Sequence, residues 1–227
     1  MSLWIKICGN TSLEDARVAA EAGADAVGFV FAPGPRRVKV EQVAAIVPRL
    51  PAEIGKIGVF VDASLEEIEA AVRTIGLTGV QLHFNAAPEL PARLRERFGS
   101  ELRILRVIHF GTESVGEAEA IMRDSNIDAV LVDSRTATAV GGTGTTFDWL
   151  AASKTLFQNA HTHERRLVVA GGLTPENVAE AIATLRPWGV DVVSGVEAAP
   201  GRKDVAKVRA FVANAKAAHR EKMRRSQ

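Results

Sequence analysis

A short aliphatic run, a polar or glycine-bearing loop and an amphipathic segment follow one another eight times along this chain. That repeat constrains the fold more than any other feature. Strand-period runs fall over 4–7, 26–31, 56–61, 79–82, 102–108, 129–132, 167–170 and 190–193. Helical periodicity fills 13–22, 40–47, 64–75, 88–98, 115–123 and 149–157. A seventh helix opens at Thr174, and the last starts near Asp204. Local signals support these limits. Ser12 and Ser64 are N-cap residues, and Glu67 completes a capping box. Gly23 and Gly99 stop helices, and Pro175 takes the first helical position, where its missing N–H costs nothing.

Eight strand–helix units predict an α/β fold, a (β/α)8 TIM barrel, in a single domain over 1–218, with a basic tail over 219–227. The strands are apolar throughout, as parallel strands covered on both faces must be. A doubly wound open sheet is the alternative, but no glycine fingerprint follows the first strand. The polar stretch 158–166 reads as an insert after the sixth helix, away from the chemistry. It carries His161 and His163, and it reads as a solvated loop, not a metal site.

Composition excludes several classes of function. The chain has 227 residues, 47% of them hydrophobic, and a formal net charge of +1. A domain of this size buries about 70–75% of its unfolded surface and needs no disulfide. Its one cysteine cannot form an internal disulfide, which points to a reducing cytoplasm. No apolar run approaches a membrane span, and the N-terminus lacks the pattern of a signal peptide. Near-neutral charge and the absence of tyrosine argue against nucleic acid.

In parallel α/β folds the C-terminal strand tips carry the chemistry. Here they collect Cys8, Arg36, Arg37, Asp62, His83, Asp133, the loop Gly142–Gly144, Gly171-Gly172 and Ser194-Gly195. Each has an ordinary alternative. Cys8 could be a small buried hydrophobe. Asp133 could cap a helix or form a structural ion pair. His83 could donate a hydrogen bond within the loop layer. A glycine pair can simply make a tight turn. Two adjacent pairs after strands seven and eight, with a third glycine-rich loop, fit a phosphate pocket better.

Several motifs occur together and in order. They are Lys6-Ile7-Cys8-Gly9, Gly23-Ala24-Asp25-Ala26-Val27-Gly28-Phe29-Val30-Phe31, Gln81-Leu82-His83 and Val132-Asp133. Then come Gly141-Gly142-Thr143-Gly144-Thr145-Thr146-Phe147-Asp148-Trp149, Ala170-Gly171-Gly172-Leu173, Pro175-Glu176-Asn177-Val178 and Ser194-Gly195-Val196-Glu197. From about Trp4 to Lys216 the chain resembles the phosphoribosylanthranilate isomerases. The resemblance implies a TIM-barrel enzyme of tryptophan biosynthesis with no metal and no organic cofactor. It implies Cys8 as general base and Asp133 as general acid. It places Arg37 near the substrate carboxylate, and Arg36 is expected to face solvent. The substrate-binding set is then Arg37, His83, Gly142, Gly144, Gly171, Gly172, Asp191, Ser194 and Gly195. Two positions depart from the family pattern: Phe84-Asn85 follow Gln-Leu-His where glycine is common, and Val193 stands for a serine.

The implied partner is a small sugar phosphate, with no nucleic acid and no membrane, and the protein is a monomer or homodimer. The chemistry fits an Amadori rearrangement, which needs one acid and one base. An ordinary thiol is about 3% thiolate at pH 7. An ordinary aspartate is protonated about once in a thousand molecules there. Both groups therefore need help: apolar neighbours for Asp133, Lys6 and a helix start for Cys8. The sequence does not say which way Lys6 points. Two other readings stay open. One is a different sugar-phosphate barrel, although the tips of strands five to eight carry no lysine for a Schiff base. The other is a non-catalytic phosphate-ligand binding protein.

Overall fold

Inward and outward side chains alternate along the strands, and this alternation sorts the apolar residues into two cores. A computed structural model describes residues 2–83, 86–110, 115–133, 148–157 and 165–225. Eight parallel strands close in sequence order into a barrel. They are β1 (Trp4–Ile7), β2 (Ala26–Val30), β3 (Gly55–Val61), β4 (Gly79–His83), β5 (Arg103–His109), β6 (Ala129–Asp133), β7 (Leu167–Val169) and β8 (Gly189–Val192). The closing seam pairs β1 with β8 and sets Lys6 opposite Asp191. Around the barrel lie α1 (Leu13–Ala22), α2 (Val40–Ile46), α3 (Leu65–Ile75), α4 (Leu90–Phe98), α5 (Val115–Arg123), α6 (Trp149–Ala152), α7 (Val178–Leu185) and α8 (Val205–Arg225). A small antiparallel pair, β9 (Glu197–Ala199) and β10 (Arg202–Lys203), follows β8 outside the barrel.

Outward residues such as Ile5, Ile7, Phe29, Leu82 and Val130 join the helices in one large core. Inward residues Trp4, Ala26, Ile57, Leu105, Val107, Leu131 and Val168 form a second core inside the barrel. Each large side chain buried this way stabilises the fold by about 1.5–3 kcal/mol. At the N-terminal end Trp4 stacks on Trp188 at 5.2 Å, and Arg103 lies over both rings. That end is a plug. Polar residues gather at the other.

The predicted barrel and most element limits agree with the structure. Ser12 accepts the Asp15 N–H at 3.1 Å, and Gly23 ends α1 with φ of 88°. Ser64 and Glu67 form the expected capping box. Other details differ. The fourth helix starts at Leu90, because Pro88 belongs to the preceding turn. The expected helix over 149–157 splits into α6 and a wider π-turn, Ser153–Phe157. In that turn Ser153 reaches the Thr184 carbonyl while Phe157 is buried. Thr174 does not open α7 directly. Its hydroxyl accepts the Glu176 N–H and its own N–H donates to Asn177 Oδ1, making a local turn before Val178. The last helix runs unbroken from the barrel through residue 219 to Arg225. Phe84, Asn85, Gly142, Gly144, His161 and His163 lie outside the described residues. Among those described, no helix is long and apolar enough to cross a membrane.

Candidate active site

The inward columns turn polar as they reach the C-terminal mouth. On β1 the column runs from Trp4 through Lys6 to Cys8. On β6 it runs from Ala129 through Leu131 to Asp133, so cysteine and aspartate end columns well apart around the closed barrel. Both are buried, at 3% and 7% exposure. The tip of β1 is fixed from several sides. Cys8 N–H donates to the Val192 carbonyl at 2.9 Å. Asn10 Nδ2 donates to Ile7 O at 2.7 Å and to Gly28 O at 3.1 Å. Gly9 leaves the strand at φ of 73°, where a side chain would crowd Arg36 and Val193 at 3.0 Å.

Below Cys8, Lys6 is fully buried and points inward. Its Nζ donates to Gln81 Oε1 at 2.8 Å and to Asp191 Oδ1 at 3.0 Å. The first bond sets the Gln81 amide, so Gln81 Nε2 donates to His83 Nε2 at 2.8 Å. The neutral His83 ring therefore carries its proton on Nδ1. His83 and His109 face each other with ring centroids 6.1 Å apart. Asp191, expected to bind substrate, is held as the partner of Lys6 at the closing seam. Burial pushes the Lys6 ammonium down, but the charges of Asp191 and Cys8 prevail and leave it above the usual value. Burial also pushes the Cys8 thiol up. Lys6 is the largest opposing influence and does not cancel it.

Of the two arginines, Arg36 does not face solvent as expected, and Arg37 is the more exposed. Arg37 is exposed and lies on a groove of about 640 Å³ with Phe31, Phe60 and Asp62. Its N–H closes a turn onto Gly34 O at 3.1 Å, and a bridge ties it to Val30. Arg36, expected to face solvent, is turned to the barrel mouth. Its side chain is 12% exposed and donates through Nε and Nη2 to Glu197 at 2.8 and 2.7 Å. The hydrogen bonds to Glu197 raise the Arg36 pKa, and Cys8 adds to the rise. Burial pushes Glu197 up, but its bonds to Arg36 and the charge of Lys203 hold it below the usual carboxylate range.

The glycine pairs are where expected. Gly171 and Gly172 follow β7 at φ of 80° and 65°, a region that side chains rarely adopt. Asn177 Nδ2 holds the Gly172 carbonyl at 2.9 Å. Ser194 and Gly195 begin a 3-10 turn, Ser194–Val196, after β8. A Cβ on Gly195 would run into the Leu173 carbonyl oxygen, so the two loops touch through backbone. Gly142 and Gly144 fall outside the described residues.

Sequence reasoning gave Glu197, Gln81 and Lys203 no role. Glu197 stands inside a quoted motif, and Gln81 is two residues before His83, so period-two spacing could have flagged it. Among the described residues, no three His, Cys, Asp or Glu side chains converge as metal ligands would.

Comparison with known proteins agrees with this geometry. The family model for N-(5'-phosphoribosyl)anthranilate (PRA) isomerase matches residues 5–214. The N-(5'-phosphoribosyl)anthranilate isomerase of Pelobacter propionicus is 43% identical over 221 residues, covering 97% of this chain and 99% of that protein. The crystal structure of the Thermotoga maritima enzyme superposes with a TM-score of 0.82 at 38% identity, covering 95% of this chain and 99% of that one. A phosphoribosylanthranilate isomerase solved with reduced 1-(o-carboxyphenylamino)-1-deoxyribulose 5-phosphate gives 0.78 at 36% identity, with the same coverage. With a matching barrel, matching motifs and full-length relatives, this chain belongs to the phosphoribosylanthranilate isomerase family.

Proposed function

We propose that the chain catalyses the Amadori rearrangement of N-(5-phosphoribosyl)anthranilate in tryptophan biosynthesis, with Cys8 as general base and Asp133 as general acid. One observation carries the reading: the single cysteine and this aspartate end two inward columns of one closed barrel. Asp133 donates its proton to the ribose ring oxygen, which opens the ring to an iminium at C1. Cys8 thiolate then takes the proton from C2, giving an enolamine. Loss of the C2 hydroxyl proton and protonation of C1 complete the aminoketose. The backbone at Gly171, Gly172, Ser194 and Gly195 holds the 5'-phosphate, which the adjoining 3-10 turn and tight glycine loops suit. Arg36, facing the mouth beside Cys8, is better placed than Arg37 to receive the anthranilate carboxylate.

A Schiff-base mechanism through Lys6 is a poor fit. Asp191 and Gln81 hold Lys6 as an ammonium, and an ammonium has no lone pair for a carbonyl. The setting is the reducing cytoplasm, and the protein acts as a monomer or homodimer; the Thermotoga maritima enzyme is dimeric. The decisive assay is turnover of phosphoribosylanthranilate, followed as loss of its fluorescence. Purified folded protein that leaves the signal unchanged would refute the reading.

A further inference from the structure

Lys6 lies one inward position below Cys8 on β1 and has no exposed surface. An ammonium has three N–H donors. Two go to Gln81 Oε1 and Asp191 Oδ1 at 2.8 and 3.0 Å, which leaves one. The Cys8 sulfur is the next inward group above it on β1, and the charges of the two groups act on each other. The neighbouring strand makes room for the two side chains to lie together. A Cβ on Gly28 would lie 2.5 Å from Cys8 Sγ and 2.9 Å from Lys6 Cε. Gly28 therefore leaves a slot on β2 in which the thiol and the lysine stem lie together. It is a spatial requirement, since Gly28 is not among the positive-φ glycines.

We propose that Lys6 is a positioning residue for the isomerisation: its ammonium donates to the Cys8 sulfur and stabilises the thiolate, while Gln81 and Asp191 hold it in line. The proposal rests on reading Cys8 as the base. Several charges bear on the sulfur. Lys6 on β1, Lys203 on β10 and Arg36 from the β2–α2 loop are cationic; Asp191 on β8 is anionic. Glu197 on β9 engages Arg36 and Lys203, and Asp133 on β6 acts on Asp191. Lys6 is the cation with the greatest effect on the thiol, and it opposes the rise that burial imposes. Arg36 and Lys203 share Glu197, so their charge is partly offset before it reaches Cys8.

The chain has one cysteine, so alkylation by iodoacetamide reads Cys8 alone. The rate against pH gives the thiol midpoint without turnover. In Lys6→Met the midpoint should rise by about one pH unit or more, cutting alkylation about tenfold at pH values well below the parent's midpoint. In Lys6→Met/Asp191→Asn, which removes both charges, it should fall between that value and the parent's. Should Lys6→Met fail to fold with Asp191 unpaired, the double variant carries the same readout. A midpoint at or below the parent's in either folded variant overturns the proposal. Because no substrate is used, that result would leave the isomerase reading intact, and failure to turn over substrate would leave the Lys6 result standing.

Discussion

Arg36 grips Glu197 through two nearly equal N–H···O bonds, 2.8 Å from Nε and 2.7 Å from Nη2, and the pair stands beside Cys8 at the barrel mouth. The partners are 161 residues apart in sequence. A bidentate fork of this kind fixes a guanidinium in plane, and the nitrogen left over, Nη1, can meet a carboxylate.

Substitution should therefore separate the two arginines. Arg36→Ala should raise KM for phosphoribosylanthranilate by about 10–100-fold, the loss expected for a hydrogen bond to a charged group. Arg36→Lys should recover little, since an ammonium cannot hold Glu197 in two bonds and a ligand in a third. Arg37→Ala should change KM less than about threefold, within the range of surface substitutions. Steady-state kinetics on the three variants checks this, and a larger effect at Arg37 would restore the sequence-based assignment.

The arginine pair shows where sequence reasoning stops. Ser12, Ser64 and Gly23 act through bonds to residues a few positions away, so their caps and stops were legible. The barrel was legible because each unit repeats a local pattern. The place of Cys8 and Asp133 at the barrel mouth was legible because they end strands. Arg36 and Arg37 differ only in how the turn closing on Gly34 and the bridge to Val30 rotate them. The partner that rewards the observed rotation, Glu197, comes from the far end of the chain. Lys6 was a different case. Its direction was left open, although a residue two positions from Cys8 on one strand shares the cysteine's face, and period-two spacing could have placed it. Asp191 could not be assigned without the seam that closes β1 on β8. Thr174 was misread because Asn177 competes for its N–H and turns the chain before the helix begins.

Glu197 gives a pH-dependent stability. Its folded pKa is depressed, chiefly because its bonds to Arg36 and the charge of Lys203 outweigh burial. Its contribution is therefore fully present above the unfolded value, about 4.3, and is lost as pH falls through the folded value. Glu197→Gln should be less stable than the parent by about 3 kcal/mol at pH 7, because Lys203 is left buried beside Arg36. The gap in Tm between the two proteins should hold steady above about pH 5 and close below about pH 4. A gap that stays constant down to pH 3 would mean that Glu197 acts through packing, not charge.

Gly195 links phosphate binding to packing. A Cβ there meets the Leu173 carbonyl, which is backbone and cannot swing away. Gly195→Ala should destabilise the fold by about 1–3 kcal/mol, the usual cost of overpacking. It should also weaken inhibition by inorganic phosphate, because the loops after β7 and β8 are forced apart. Ser194→Ala adds no bulk and provides the contrast: stability near the parent's, with phosphate inhibition weakened if the hydroxyl contributes. Thermal melts and phosphate titrations on both variants test the arrangement. Intact phosphate inhibition in a destabilised but folded Gly195→Ala would move the phosphate away from these loops.

The acid and base can be told apart by where the barrier moves. Cys8→Ser preserves the shape of the β1 tip but raises the side-chain pKa by several units, so it should be nearly as inactive as Cys8→Ala. Asp133→Asn keeps the volume of the side chain and removes the proton donor. Each change should lower kcat by about 10²–10⁴-fold, the usual contribution of a positioned acid or base. Phosphate inhibition should survive in all three, since the phosphate loops lie on β7 and β8. Substrate deuterated at sugar C2 then assigns the roles. If Cys8 removes the C2 proton, its loss makes that step limiting, and Cys8→Ser should show a larger primary isotope effect than the parent. Asp133→Asn should instead leave ring opening limiting and show an effect no larger than the parent's. An enlarged effect in Asp133→Asn with an unchanged one in Cys8→Ser would exchange the roles. It would also remove the reason for Lys6 to hold the cysteine as a thiolate.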